Sequence, residues 1–348
     1  MIRFNCINAL GLAVVAATSF LLPMESQAQE VYASLATKPS GRIYFSSLTP
    51  KSTYALQKQA TAQPIVNVAG TLYMPDGAQS PVPAMVITPG SGGIMTNQTE
   101  RWKPLFLKMG MAVFIVDTLG SRNIENTISN QAQLSYAADI ADSFSALKLL
   151  STDPRIDPKR IAQIGFSRGG AIALDTMVQP FRQAIIKDDE VRFAAHVAVY
   201  PACDDTYWNG KASLLTGAPV LFLMGEKDEA VSNKLCQIYA DKLKTVLPRV
   251  EMHIYEGAHH DFDSIKNTRD WLARGINNLS CPGHDINPDD WSVTHLGTGK
   301  RYGSFAEYMK ENPDYCGKKG YTIAGNPAAA QQAEGDVTQF LSQTLSIR

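Results

Sequence analysis

Neither acid nor base predominates in this sequence of 348 residues: 32 Lys and Arg stand against 33 Asp and Glu, a formal net charge of −1. No lysine- or arginine-rich run is present, so the electrostatic footprint of a nucleic-acid binder, or of a protein held on an anionic membrane, is lacking. A small neutral molecule is the expected partner. There is no C-x-x-C pair and no histidine cluster beside the cysteines, which leaves a zinc site unsupported and no metal expected. Neither G-x-x-x-x-G-K-[ST] nor G-x-G-x-x-G occurs, so a phosphate-binding loop is set aside and no cofactor is expected. Internal repeats and low-complexity linkers are missing too. With 45% hydrophobic and 19% charged residues, the chain can bury a large core, and residues 29–348 are expected to form one α/β domain.

The apolar stretch from Ala9 to Leu22 falls short of the ~20 residues that a membrane-spanning helix needs. Arg3 precedes it, and Ser26-Gln27-Ala28 follows with the small-x-small pattern of a signal peptidase site. Residues 1–28 therefore read as a signal peptide, and the mature chain as exported, periplasmic or secreted, with no stable membrane association. Cys6 leaves with that leader. The remaining Cys203, Cys236, Cys281 and Cys316, in an oxidising compartment, permit two disulfides in three connectivities. The preferred pairing is Cys203 with Cys236, each following the end of one of two strands expected to be neighbours, and Cys281 with Cys316, which bracket a polar surface segment at about 278–319. A bridge across the 33 residues from Cys203 to Cys236 would stabilise by about 3 to 4 kcal/mol through chain entropy.

What the sequence does carry is a hexapeptide, Gly165-Phe166-Ser167-Arg168-Gly169-Gly170, directly after the apolar run Arg160 to Ile164. A strand that ends in G-x-S-x-G and runs into a helix sets its serine on a sharp turn, with small residues on either side to admit the close approach of strand and helix. Around this elbow, strands are expected at Val66–Tyr73, Pro83–Thr88, Met111–Val116, Ala194–Tyr200, Pro219–Met224 and Val250–Tyr255. Helices are expected at Glu100–Met109, Gln131–Leu150 and about Asn326–Leu345. Asp153-Pro154 and Asp157-Pro158 read as breaks before the elbow strand. The alternation predicts a doubly wound, mostly parallel sheet with helices on both faces.

A serine hydroxyl is a weak nucleophile and needs a base, which in turn needs an acid to fix its tautomer. Asp228, just past the strand ending at Met224, and the pair His259-His260, just past the strand ending at Tyr255, follow Ser167 in the order serine, acid, histidine. Glu226, Asp204 and Asp205 compete for the acid, and the residues alone leave the two histidines unresolved. The developing oxyanion needs backbone donors: Arg168 offers one by position after the nucleophile, and Ser91 offers the other from Pro89-Gly90-Ser91-Gly92-Gly93.

Four blocks in this order are similar to α/β-hydrolases of the dienelactone hydrolase type: PGSGG, DPRIDPKRIAQIGFSRGG, GEKDEAV, and YEGAHHDFD, which resembles the family pattern G-A-x-H-x-F-D. The resemblance covers roughly Gly70 to Phe262 plus the final helix. It implies the α/β-hydrolase fold without a large cap domain, and it selects His260 over His259 as the base. Exported members resembling this chain often carry cysteines placed like Cys203 and Cys236. Two features depart from the pattern: Ser167 stands where dienelactone hydrolases use cysteine, and Pro89 replaces the usual histidine of the oxyanion loop. The resemblance thus implies a serine hydrolase acting on carboxylic esters or lactones through an acyl-enzyme, with a serine peptidase, an acyltransferase or a non-catalytic binding protein as alternatives. The short connection from Tyr200 to Pro219 implies an open cleft. Tyr207 and Trp208 are expected to line it, and Arg122 to meet a substrate carboxylate. The 278–319 segment fits the family least, as a wall of the entrance or a cover for the sheet edge.

Overall fold

The computed structural model describes residues 30–78, 81–312 and 316–347; the leader expected over residues 1–28 lies outside them. Among the described residues the first nine strands run in chain order as β1 (Gly41–Leu48), β2 (Ile65–Tyr73), β3 (Val82–Thr88), β4 (Ala112–Asp117), β5 (Ile156–Phe166), β6 (His196–Val199), β7 (Asp205–Tyr207), β8 (Val220–Gly225) and β9 (Val250–Tyr255). All but β7 form one sheet in the order β1-β2-β4-β3-β5-β6-β8-β9. The β1–β2 and β2–β4 pairs are antiparallel, and from β4 onward every pair is parallel. Every residue of β3, β6 and β8 is buried, as central parallel strands covered on both faces require.

The helices are α1 (Thr53–Gln59), α2 (Lys103–Lys108), α3 (Tyr136–Leu150), α4 (Arg168–Asp175), α5 (Gln179–Ile185), α6 (Asn233–Lys244), α7 (Phe305–Glu311) and α8 (Pro327–Leu345). Residues from α3, α4, α5 and α6 pack with one face of the sheet in a core that includes Ile140, Phe144, Ile172, Phe181 and Tyr239. On the other face α2 and α8 supply Phe106, Val337, Phe340 and Leu341 to a second core around Met85, Ile164 and Leu221. Two layers of helix over a parallel sheet is the architecture expected from the strand–helix alternation.

Three boundaries differ from the sequence reading, each for a physical reason. The helix expected from Gln131 begins only at Tyr136, because the carbonyls of Gln131 and Leu134 accept from the Arg168 guanidinium (3.3 and 2.7 Å) rather than from helical N–H groups. The helix expected from Glu100 to Met109 is a wide π turn, Gln98–Trp102, followed by α2. That turn sets Asn97 and Trp102, five residues apart, on one carboxylate, Asp263 (3.0 and 2.5 Å). Asp157-Pro158 lies inside β5 rather than before it. The pairing register with β3 shifts there, from Val82 opposite Ile156 to Ala84 opposite Ile161, so a residue without an N–H is tolerated.

Beyond β9 the chain makes an excursion before returning as α8. Its strand Arg269–Trp271 pairs with Thr322–Ala324, and Ile276–Asn277 with Lys318–Lys319. Within it, His284–Ile286 and Val293–His295 extend a small sheet whose edge is β7, from the β6–β8 connection. Disulfides join Cys203 to Cys236 and Cys281 to Cys316, each at a Cα–Cα distance of 5.1 Å. The first ties the β6–β8 connection to α6; the second closes the excursion at its neck. No helix among the described residues is long and apolar enough to cross a membrane.

Candidate active site

Ser167 stands between the end of β5 and the start of α4 with φ 53° and ψ −115°. A non-glycine residue there is strained by about 1 to 3 kcal/mol and persists only where its surroundings over-determine it. They do so by proximity. A Cβ at Gly165 would lie 1.8 Å from the Gly169 carbonyl oxygen, and one at Gly169 would lie 2.1 Å from that of Thr88. Only glycine fits at either position.

The serine, an imidazole and a carboxylate form one continuous relay. Ser167 Oγ lies 2.9 Å from His260 Nε2, and His260 Nδ1 lies 2.8 Å from Asp228 Oδ2. Asp228 has a buried side chain, and its other oxygen accepts from the N–H groups of Ala230 (2.8 Å) and Val231 (3.1 Å). With the acid so held, Nδ1 of His260 carries the proton and Nε2 is free to accept from the serine. Burial pulls the His260 pKa down, but the Asp228 carboxylate outweighs it and leaves the imidazole above its ordinary value. His259 faces elsewhere, its buried Nδ1 without a partner among the described residues. Glu226 accepts from the Gly257 N–H at 2.8 Å, while Asp204 and Asp205 line a separate cavity.

His260 is held from two sides. Its carbonyl accepts from the Ala324 N–H at 3.1 Å, so the returning strand of the excursion pairs with the histidine loop. Its ring lies 4.6 Å from that of Tyr200, between centroids. The Tyr200 hydroxyl donates to Asp263 Oδ1 at 2.6 Å, and Asp263 is the carboxylate shared by Asn97 and Trp102. Burial raises the Asp263 pKa, and these three donors oppose that rise. Sequence reasoning assigned no role to this buried network, although the final Asp of YEGAHHDFD was a visible signal for it.

Gly90 and Ser91 lie beside the nucleophile: a Cβ at Gly90 would be 2.8 Å from the Phe166 oxygen and 3.4 Å from Ser167 Cβ. Ser91 Oγ accepts from Gln131 Nε2 at 2.9 Å. Arg168, whose N–H opens α4, buries its guanidinium against Asp139 at 2.6 Å and over the Tyr136 ring at 4.1 Å. It also donates to Gln131 Oε1 at 3.1 Å. Gln131 thus couples the two loops expected to supply the oxyanion donors.

Ser167 and His260 open onto a cavity of about 210 Å³ with a mostly apolar lining that includes Met95, Ile128, Leu272, Tyr321 and Ile323. Leu272, Tyr321 and Ile323 come from the neck of the excursion, on either side of the 278–319 segment. The neck of the excursion thus walls the cavity, while no described residue of the 278–319 segment itself is among those that line it. Three expected substrate contacts are not brought here. Tyr207 packs edge-on against Phe181 at 4.7 Å and donates to Thr53 Oγ1 at 2.7 Å. Trp208 packs against the α3–α6 core. Arg122 is committed to a bidentate pair with Asp142 at 2.7 and 2.9 Å. A wider groove of about 510 Å³, along β1 and α3, contains none of the relay residues.

Known proteins resemble the chain to different extents. The Bacillus subtilis protein YtmA, named an uncharacterized peptidase, is 28% identical over 152 residues, a match covering 38% of this chain and 59% of YtmA. This chain thus spans less than two thirds of that relative's length. Among solved structures, esterase 2 of Thermogutta terrifontis in its apo form aligns at a TM-score of 0.46 and 21% identity, over 57% of this chain and 81% of the esterase. A Klebsiella pneumoniae protein provisionally named a dienelactone hydrolase aligns at 0.46 and 17%, over 64% of this chain and 88% of that one. A family model matches more than half of the sequence, from residue 68 to residue 274, and spans the strand–elbow–helix unit, the acid loop and the histidine loop: the chain belongs to the dienelactone hydrolase family.

Proposed function

We propose that this family member is an exported serine esterase that cleaves small carboxylic esters, lactones included, by two-step acyl transfer. The observation that carries the reading is the unbroken relay from Ser167 through His260 to Asp228 at the mouth of an apolar cavity. In the first step His260 Nε2 takes the Ser167 proton as Oγ attacks the ester carbonyl. The backbone N–H groups of Ser91 and Arg168 receive the negative charge that develops on the carbonyl oxygen. Collapse of the tetrahedral adduct expels the alcohol, which takes the proton back from His260. Water, deprotonated by the same imidazole, then releases the acid and frees the serine. A cavity of about 210 Å³ suits a short acyl group, and its apolar lining favours an uncharged one. Two disulfides agree with export of the mature chain, residues 29–348, as one domain.

The test is active-site labelling joined to turnover. Wild type should react with a fluorophosphonate and hydrolyse p-nitrophenyl acetate, and Ser167→Ala should do neither. Labelling without ester turnover would shift the reading to a peptidase, the activity in YtmA's name, or to an acyltransferase. No labelling at all would leave a binding protein.

A further inference from the structure

A second cavity, of about 320 Å³, lies apart from the relay and is lined by three carboxyl groups, those of Asp175, Asp204 and Asp205, with the rings of Tyr136 and Tyr207. No lysine, arginine or histidine is among the described residues that line it. Two of the acids have partners: Asp204 accepts from Asn278 Nδ2 at 3.0 Å, and Asp205 pairs with His284 Nδ1 at 3.1 Å. Asp175 has none. It is 9% exposed, and no described residue donates a hydrogen bond to its carboxyl; burial and the nearby Asp205 both push its pKa well up. It is also the last residue of α4, where the negative end of the helix dipole penalises an anion further. Buried carboxyls in native proteins are paired, and one left bare costs free energy that a bound cation would recover.

We infer that this cavity is a binding site for a small organic cation bearing a primary ammonium group, with Asp175 as its principal counter-ion. A metal ion is the weaker fit, because no cluster of three acidic, histidine or cysteine side chains among the described residues could hold one. An ammonium group needs only one close carboxylate, which Asp175 offers, and its other N–H groups can donate to neighbouring oxygens of the lining, which includes Ser52, Thr53 and Ser135. Hydrocarbon attached to the ammonium would occupy the remaining volume.

The experiment uses the intact mature protein at mildly alkaline pH and constant ionic strength. The probes are n-butylammonium and 1,4-diaminobutane, with butan-1-ol as the uncharged control and calcium chloride as the metal control. Thermal unfolding and calorimetry should show a saturable rise in Tm with either amine and none with the alcohol. Asp175→Asn should weaken amine binding about ten-fold or more, while Ser167→Ala should leave it unchanged, so the result stands apart from the esterase reading. No saturable response in wild type overturns the proposal, as does an equal response in Asp175→Asn. Calcium alone reproducing the rise would replace the organic cation with a metal. Should Asp175→Asn not fold, Asp205→Asn takes its place, expected to weaken amine binding less and overturning the proposal if it has no effect.

Discussion

Ser167 holds a backbone conformation that most side chains avoid, and His260 holds a proton against the pull of burial. Both depend on neighbours that do no chemistry themselves. Asp228→Asn leaves the shape intact but can present the wrong hydrogen-bonding group to Nδ1; in other serine hydrolases such a change costs about 10⁴ in kcat, and a loss of that order is expected here in p-nitrophenyl acetate turnover. A pH profile carries a second signature. In the proposed mechanism His260 acts as a base only when neutral, and its pKa lies above the ordinary imidazole value, so kcat/KM should rise through one ionisation on the alkaline side of about 6.5. In Asp228→Asn the carboxylate that raises the pKa is gone, and the residual activity should rise at lower pH. The same raised pKa favours the folded state while His260 is protonated. That contribution is whole below about 6.5 and fades as pH climbs through the folded-state value. A wild-type profile rising well below 6.5 would contradict both statements. At this scale Ser167 was legible because G-x-S-x-G imposes its geometry locally. The choice of His260 over His259 came only from resemblance to the family pattern, since adjacent residues on a loop differ only in which way the chain turns.

Among elements, the elbow tolerates least. Gly169 of α4 passes so close to the end of β3 that a single methyl would meet the Thr88 oxygen at 2.1 Å and the Pro89 oxygen at 2.5 Å. Both are backbone atoms that no rotamer change can move. Gly169→Ala should therefore cost about 3 kcal/mol or more, the upper range for overpacking, measured by urea denaturation, with fluorophosphonate labelling lost in whatever folds. Gly335→Ala is the control: a Cβ there meets nothing within 4 Å, and its helical position should gain about 1 kcal/mol. The parallel strands were legible because buried runs such as Val82–Ile87 and Val220–Met224 are apolar. The start of α3 was not, because its apolar period runs on upstream through residues whose carbonyls the distant Arg168 had already taken. Local pattern cannot register a partner that lies 37 residues away.

For the whole molecule, the excursion between β9 and α8 is the part least predictable from composition. It pairs across to β7, supplies three side chains to the cavity and closes on a disulfide spanning 35 residues. Polar strands of two or three residues carry no periodicity to read, so only the cysteines announced that the segment was organised. Cys281→Ser with Cys316→Ser should lower stability by about 3 to 4 kcal/mol, the chain-entropy value for a loop of this size. Because the excursion walls the cavity, the loss should appear first as a raised KM in warmed samples, before global unfolding. An unchanged Tm would mean that the hydrogen-bonded strands hold the segment without the bridge.

The Ala324 amide that steadies the His260 carbonyl lies 64 residues downstream of it, beyond the second cysteine of the neck. During synthesis the nucleophile, acid and imidazole all leave the ribosome before the amide that fixes the imidazole's main chain. Alignment of the three side chains therefore waits on a residue made 64 positions after the imidazole. A nascent chain that has just passed His260 carries all three side chains of the relay but not yet the strand that pairs with the histidine loop.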